Sequence, residues 1–335
     1  MKVEQVIEKT IEQIKKGISD KLTIVLIGSQ PSERTYYKGK LLSDINLTIL
    51  NNLGILYRKR LKEISEKNSS PDLQINIFIA SPQLIRNNFS IFSLELKKSG
   101  KLLNGNRKRI DKIKITEDTL PKWEGLRTLF TNYMYSSFDL KGIENTYRNA
   151  KIYLSIADAF LCFNKKYKVT YKEKRNEILK IDLPKDIREK IMISFDFKLN
   201  LISDASKLKK ISDKNEAVEL LLKYVDHFLK LYLNNDKSAL ENIKTIKSRF
   251  PVLIHRNNLF YVHCPVKYLP KVNILHFNPI TMIECAITND YKSLGKFFSN
   301  PPLNFPELTE IFMAYPSFII KNDRQILRKR IKKLS

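Results

Sequence analysis

The sequence predicts an α/β (α+β) domain over residues 1–112 followed by a mainly α-helical domain over residues 120–335. Three observations carry this reading. Residues 22–50 hold two apolar runs of strand character separated by a glycine turn. A helical stretch and a third alternating apolar run follow, up to residue 80. From Trp123 onward the apolar residues recur at helical spacing instead.

The opening residues, MKVEQVIEKTIEQIKKG, form an amphipathic helix rather than a signal peptide. LTIVLI, at 22–27, is an apolar strand that runs into Gly28-Ser29. Gly28 lets the backbone approach a phosphate closely, and Ser29 offers it a hydroxyl. The next segment carries Arg34, Tyr36, Tyr37, Lys38 and Lys40 and reads as a short connecting helix. Its basic-aromatic mix suits contact with phosphates and bases. A second strand opens with Ser43-Asp44-Ile45-Asn46-Leu47, and period-two alternation puts Asp44 and Asn46 on one face beside the glycine turn. A helix over 52–68 and a strand over 72–80 follow, with Asp72, Gln74 and Asn76 on one face of that strand and Leu73, Ile75 and Ile77 on the other.

The charged run from Arg107 to Trp123, turned at Pro121, is the expected domain boundary. Helices are expected over 123–138, 144–164, 171–180, 185–197 and 213–233, the last capped by Ser212 or Asp213. Tyr133, Tyr135, Phe160, Phe163, Tyr224 and Phe228 read as core residues rather than base-stacking platforms. Prolines interrupt the last third repeatedly, leaving short helices over 277–299 and 304–315.

Gly28-Ser29 between strands, followed by Ser-Asp-Ile-x-Leu at 43–47, resembles the DNA polymerase beta-like nucleotidyltransferase superfamily. The likeness covers roughly residues 1–105, and 94–105 is similar to the helix, turn and short strand that close the domain in archaeal members. It implies a mixed sheet, a nucleoside triphosphate held at Gly28, Ser29, Arg34 and Lys38, and Mg²⁺ or Mn²⁺ on carboxylates of neighbouring strands. Two such ions about 3.5–4 Å apart need anionic oxygens to offset their charge. Asp44 supplies one carboxylate and a possible residual metal ligand, but Asn46 stands where the second is expected. Gln74 or Asn76 stands where the third is expected. An amide oxygen can ligate a hard cation but brings no charge.

The motif therefore leaves three readings open. The first is a degenerate, catalytically inactive nucleotidyltransferase-like protein that binds nucleic acid or nucleotide. The second is an active metal-dependent transferase that uses Asp44 with an acid from elsewhere, such as Asp72 or Glu95, and passes a nucleotide to a nucleic-acid or protein acceptor. The third is a scaffold with protein partners only.

Charge favours a polyanionic partner. Sixty Lys plus Arg against 35 Asp plus Glu leave a net +25, and DNA or RNA is the partner that such an excess suits best. The clusters include Arg107, Lys108 and Arg109 and the tail bases Arg328, Lys329, Arg330, Lys332 and Lys333, which alternate with Ile326, Leu327, Ile331 and Leu334 in a basic amphipathic helix. No apolar run approaches the roughly 20 residues of a membrane helix. Three widely spaced cysteines, Cys162, Cys264 and Cys285, form no zinc pattern and fit a reducing, cytoplasmic setting. The four histidines lack partners at ligand spacing, and Pro251 falls between Arg249 and His255, the pair whose spacing is similar to that of HEPN ribonucleases.

Overall fold

A computed structural model describes residues 3–28, 33–53, 55–70, 73–80, 82–86, 89–136, 140–202, 204–243 and 245. The expected short helices over 277–299 and 304–315, the basic tail, Ser29 and Asp72 lie outside the described residues.

The chain begins with α1 (Val3–Gly17), whose Val6, Ile7, Thr10 and Ile14 line one buried stripe. The first strand, β1 (Ile24–Ile27), is buried at every position, as a central strand covered on both faces must be. The segment expected to be a short helix is instead a hairpin, β2 (Tyr36–Tyr37) and β3 (Lys40–Leu41), paired antiparallel. Lys38 and Gly39 take positive φ values of 47° and 81° at its tip. Two successive left-handed residues make the turn that matches strand twist, and tyrosines favour the flanking strands, so a hairpin outcompetes a helix here.

Next come β4 (Ile45–Leu50), α2 (Ile55–Asn68), β5 (Ile75–Ala80), the short α3 (Pro82–Arg86), α4 (Ile91–Lys98) and β6 (Lys101–Asn104). The sheet order is β5-β4-β1-β6. β1 runs antiparallel to β4 and β6, while β4 and β5 are parallel, so the sheet is mixed as expected. Alternation divides its side chains between two cores. Ile24, Leu26, Ile45, Leu47, Ile49 and Ile75 pack with Val6, Ile7 and Ile14 of α1 and Leu61 and Ile64 of α2. Val25, Ile27, Leu50, Phe78 and Ala80 point the other way, into a core shared with the following helices. Asn46 falls on the same face as that second set, so the polar motif faces the helical half of the molecule.

The helices are α5 (Lys108–Asp111), α6 (Trp123–Ser136), α7 (Gly142–Phe163), α8 (Tyr171–Ile178), α9 (Lys185–Lys198), α10 (Ser206–Lys209) and α11 (Lys214–Leu233). Sequence signals place their ends well. Thr170 and Glu173 form a reciprocal capping box on α8, and the Asp213 side chain accepts from the Asn215 and Glu216 amides at the start of α11. Gly125 lets α6 and α7 approach closely, because a Cβ there would lie 2.9 Å from Ala159 Cα. Tyr133, Phe160, Tyr224 and Phe228 are core residues as expected, and Phe163 packs against them.

Candidate functional site

The site forms where the end of β1 meets the start of β4 under the helical half. Gly28 follows β1 with φ +75°, and a Cβ built there would come 3.1 Å from Asn46 Nδ2. Both facts select glycine: a side chain would strain the backbone and crowd the amide.

Parallel pairing of β4 and β5 sets Asn46 directly beside Asn76. Asn76 Nδ2 donates to Asn46 Oδ1 at 2.9 Å, and Gln74 Nε2 donates to Asn76 Oδ1 at 3.1 Å. The three amides thus form one hydrogen-bonded row across two strands. Each Asn oxygen in it already accepts a hydrogen bond, and the row ends in Asn46 Nδ2 beside Gly28. Such an end suits an oxygen acceptor rather than a cation.

Asp44 supplies the carboxylate of the motif at this corner. Lys151 of α7 stands beside it, with Nζ 3.8 Å from Asp44 Oδ2. The same ammonium lies 4.8 Å from the centre of the Tyr147 ring. A second lysine, Lys198 at the end of α9, is buried, and its Nζ donates to Ser43 Oγ at 2.9 Å and to Tyr147 Oη at 3.1 Å. It also lies 5.0 Å from the centre of the Tyr171 ring. Oxygens and ring faces hold an ammonium at such depth. Burial pushes the Tyr147 phenol up, but Lys151 and Lys198 more than offset this; with the Ser43 hydrogen bond, and against the Asp44 charge, they bring it down to about 8.

The hairpin is fixed by the same helical segment. Asn200, in a left-handed conformation at φ 59°, accepts from the Tyr36 amide at 2.7 Å and donates to the Arg34 carbonyl at 2.6 Å. Thr35 Oγ1 donates to the Lys198 carbonyl, and the Thr35 amide donates to Ser43 Oγ. Tyr37 packs edge-on against Phe197, with ring centres 6.5 Å apart.

Several residues expected at the site have other partners. Arg34 is buried, and its Nη1 donates to Glu4 Oε1 at 2.6 Å. Lys40 pairs with Glu144 at 3.0 Å. Lys38 is exposed at the hairpin tip, its Nζ 5.7 Å from the centre of the Tyr37 ring. Among the surface bases, Arg109 donates to the Leu50 carbonyl, Arg107 pairs with Asp111 at 3.3 Å, and Lys108 is exposed. Glu95, considered as a second acid, lies instead in a buried charge cluster: it accepts from Tyr167 Oη at 3.4 Å, near the Lys174–Asp158 pair. Burial raises its pKa, as it does that of Asp158.

These donors do not fit a pair of divalent cations. One carboxylate has an ammonium beside it, and the amides at the other expected acid positions are bonded to one another. No group of three His, Cys, Asp or Glu among the described residues could hold a metal ion. Residues that sequence reasoning missed (Tyr147, Lys151, Lys198 and Asn200) all come from the helical half. Lys151 was the most detectable of them, as the one lysine in the long apolar helix α7.

No protein-family model and no curated protein matches the chain. Among solved structures, the chain is similar to a spectinomycin adenyltransferase from Enterococcus faecialis, solved with ATP and spectinomycin. That likeness has a TM-score of 0.43 at 12% identity and covers 67% of this chain and 99% of the other. The architecture here is an α+β one, a four-stranded mixed sheet with helices packed on the face that carries the polar motif. No helix among the described residues is long and apolar enough to cross a membrane.

Proposed function

We propose that the protein is a nucleotidyltransferase-like binding module that recognises a phosphate-bearing ligand, nucleotide or nucleic acid, and carries out no nucleotidyl transfer. The observation that carries this reading is the amide row Gln74–Asn76–Asn46 beside an Asp44 already paired with Lys151. Transfer needs carboxylates to hold cations around a triphosphate. This corner offers hydrogen-bond donors and ammonium groups, which suit phosphate oxygens. The net charge of +25 supports a polyanionic ligand, with nucleic acid favoured for the wider basic surface.

The test is incubation with each labelled nucleoside triphosphate, Mg²⁺ or Mn²⁺, and RNA, DNA or protein acceptors. No labelled product is expected. Product formation abolished by Asp44→Ala would establish the transferase instead. Gel shifts with RNA and DNA at rising salt address the ligand: complexes should weaken steeply as salt rises, whereas a scaffold with protein partners only gives no shift at any salt.

A further inference from the structure

The misfit between this corner and divalent metals has a direct chemical consequence, which rests on the phosphate-ligand reading above. We infer that the site binds a nucleoside polyphosphate without any divalent cation, with the Lys151 ammonium beside Asp44 supplying the countercharge that metal ions would otherwise bring. Three features meet here. Lys151 Nζ lies 3.8 Å from Asp44 Oδ2, so a positive charge already occupies the neighbourhood of that carboxylate. Lys198 Nζ lies against Ser43, the residue next to Asp44, and against Tyr147, whose ring Lys151 also faces. The amide row ends in an N–H donor at Gly28, where β1 turns. Two ammonium groups against Ser43 and Asp44, just before β4, and the amide donor of Asn46 near its start form a set of donors for phosphate oxygens.

Asp44 thereby changes role. In a metal-dependent site a carboxylate helps the triphosphate bind, because it recruits the cation between them. Without the cation it repels the phosphates and competes with them for Lys151. Removing its charge should therefore strengthen binding, the opposite of its effect in a metal site.

The experiment is calorimetric titration of the full-length protein with ATP and with inorganic tripolyphosphate, each in EDTA and in excess Mg²⁺. ATP should bind in EDTA at least as tightly as with Mg²⁺, because complexed Mg²⁺ masks charge that the lysines would meet. Asp44→Asn should tighten binding in EDTA by about threefold to tenfold, and Lys151→Ala should weaken it by about tenfold, with Lys151→Arg retaining most of the affinity. Far-ultraviolet circular dichroism confirms that each variant is folded, and Asp44→Asn remains decisive if Lys151→Ala is not. Tripolyphosphate binding alongside ATP assigns recognition to the phosphates; binding of ATP alone assigns it to the base and overturns the inference. So does ATP binding that requires Mg²⁺ and is lost in Asp44→Asn, or the absence of ATP binding in EDTA. In none of these cases is the reading as a non-transferring module decided, because the labelled transfer assay and the gel shifts test that separately.

Discussion

Asn46 and Asn76 lie side by side on adjacent parallel strands, and Asn76 Nδ2 donates to Asn46 Oδ1 at 2.9 Å. Carboxylates at the same two positions would repel each other unless a cation lay between them. The amides remove that requirement.

Restoring the acids tests this directly. In the double variant Asn46→Asp, Asn76→Asp the two carboxyl groups replace a hydrogen bond with like charge, and one of them should titrate well above the usual carboxylate range. Stability at neutral pH should fall by about 1–3 kcal/mol, and added Mn²⁺ should restore part of it. Thermal melts with and without Mn²⁺ check this; the wild-type melt should not respond to the ion.

Asn200 fixes the hairpin to the helical half through two backbone hydrogen bonds. Asn200→Ala should cost about 1–3 kcal/mol, because both backbone groups lose their partner and alanine is less tolerant of the left-handed φ of 59°. Hydrogen exchange should accelerate at the Tyr36 amide, while the amides of β1 keep their protection.

Tyr147 should ionise near pH 8 in the folded protein, against about 10 for a free tyrosine. A phenol whose folded pKa is lowered contributes stability that is fully present above the unfolded value and is lost as pH falls through the folded one. Stability should therefore gain a contribution between pH 8 and 10 that is absent in Tyr147→Phe. Tyrosinate absorbance gives the direct reading: one group titrating near 8, missing in Tyr147→Phe and shifted upward in Lys151→Met.

Lys174 is buried with its Nζ 3.0 Å from Asp158 Oδ1 and its charge over the Tyr167 and Tyr171 rings. Lys174→Met leaves Asp158 and Glu95 without their nearest cation. Breaking a buried pair in this way costs about 3–5 kcal/mol, measurable as a shift in the urea midpoint.

Much of the fold can be read in the sequence because its signals are local. Alternation along Ile45–Leu50 and Ile75–Ala80 marks two strands, and Asp213 marks a helix start, through chemistry contained within a few residues. The hairpin was missed because its decisive feature is two successive positive φ values at Lys38 and Gly39, and lysine gives little warning of one. The glycine turn, Asp44 and the amide positions were also legible, since they belong to adjoining strands. Lys151 and Lys198 were not, because tertiary packing of α7 and α9 brings them to Ser43 and Asp44 from far along the chain. A lysine on an apolar helix looks the same in sequence whether it reaches solvent or a site.

This corner of the mixed sheet holds ammonium groups and amides where a metal pair would need carboxylates. Electron paramagnetic resonance of Mn²⁺, titrated into the wild-type protein and into Asp44→Ala in the presence of ATP, tests it most directly. The wild type should take up no Mn²⁺ beyond what ATP alone binds, and neither should Asp44→Ala. A protein-bound Mn²⁺ signal in the wild type that disappears in Asp44→Ala would contradict it.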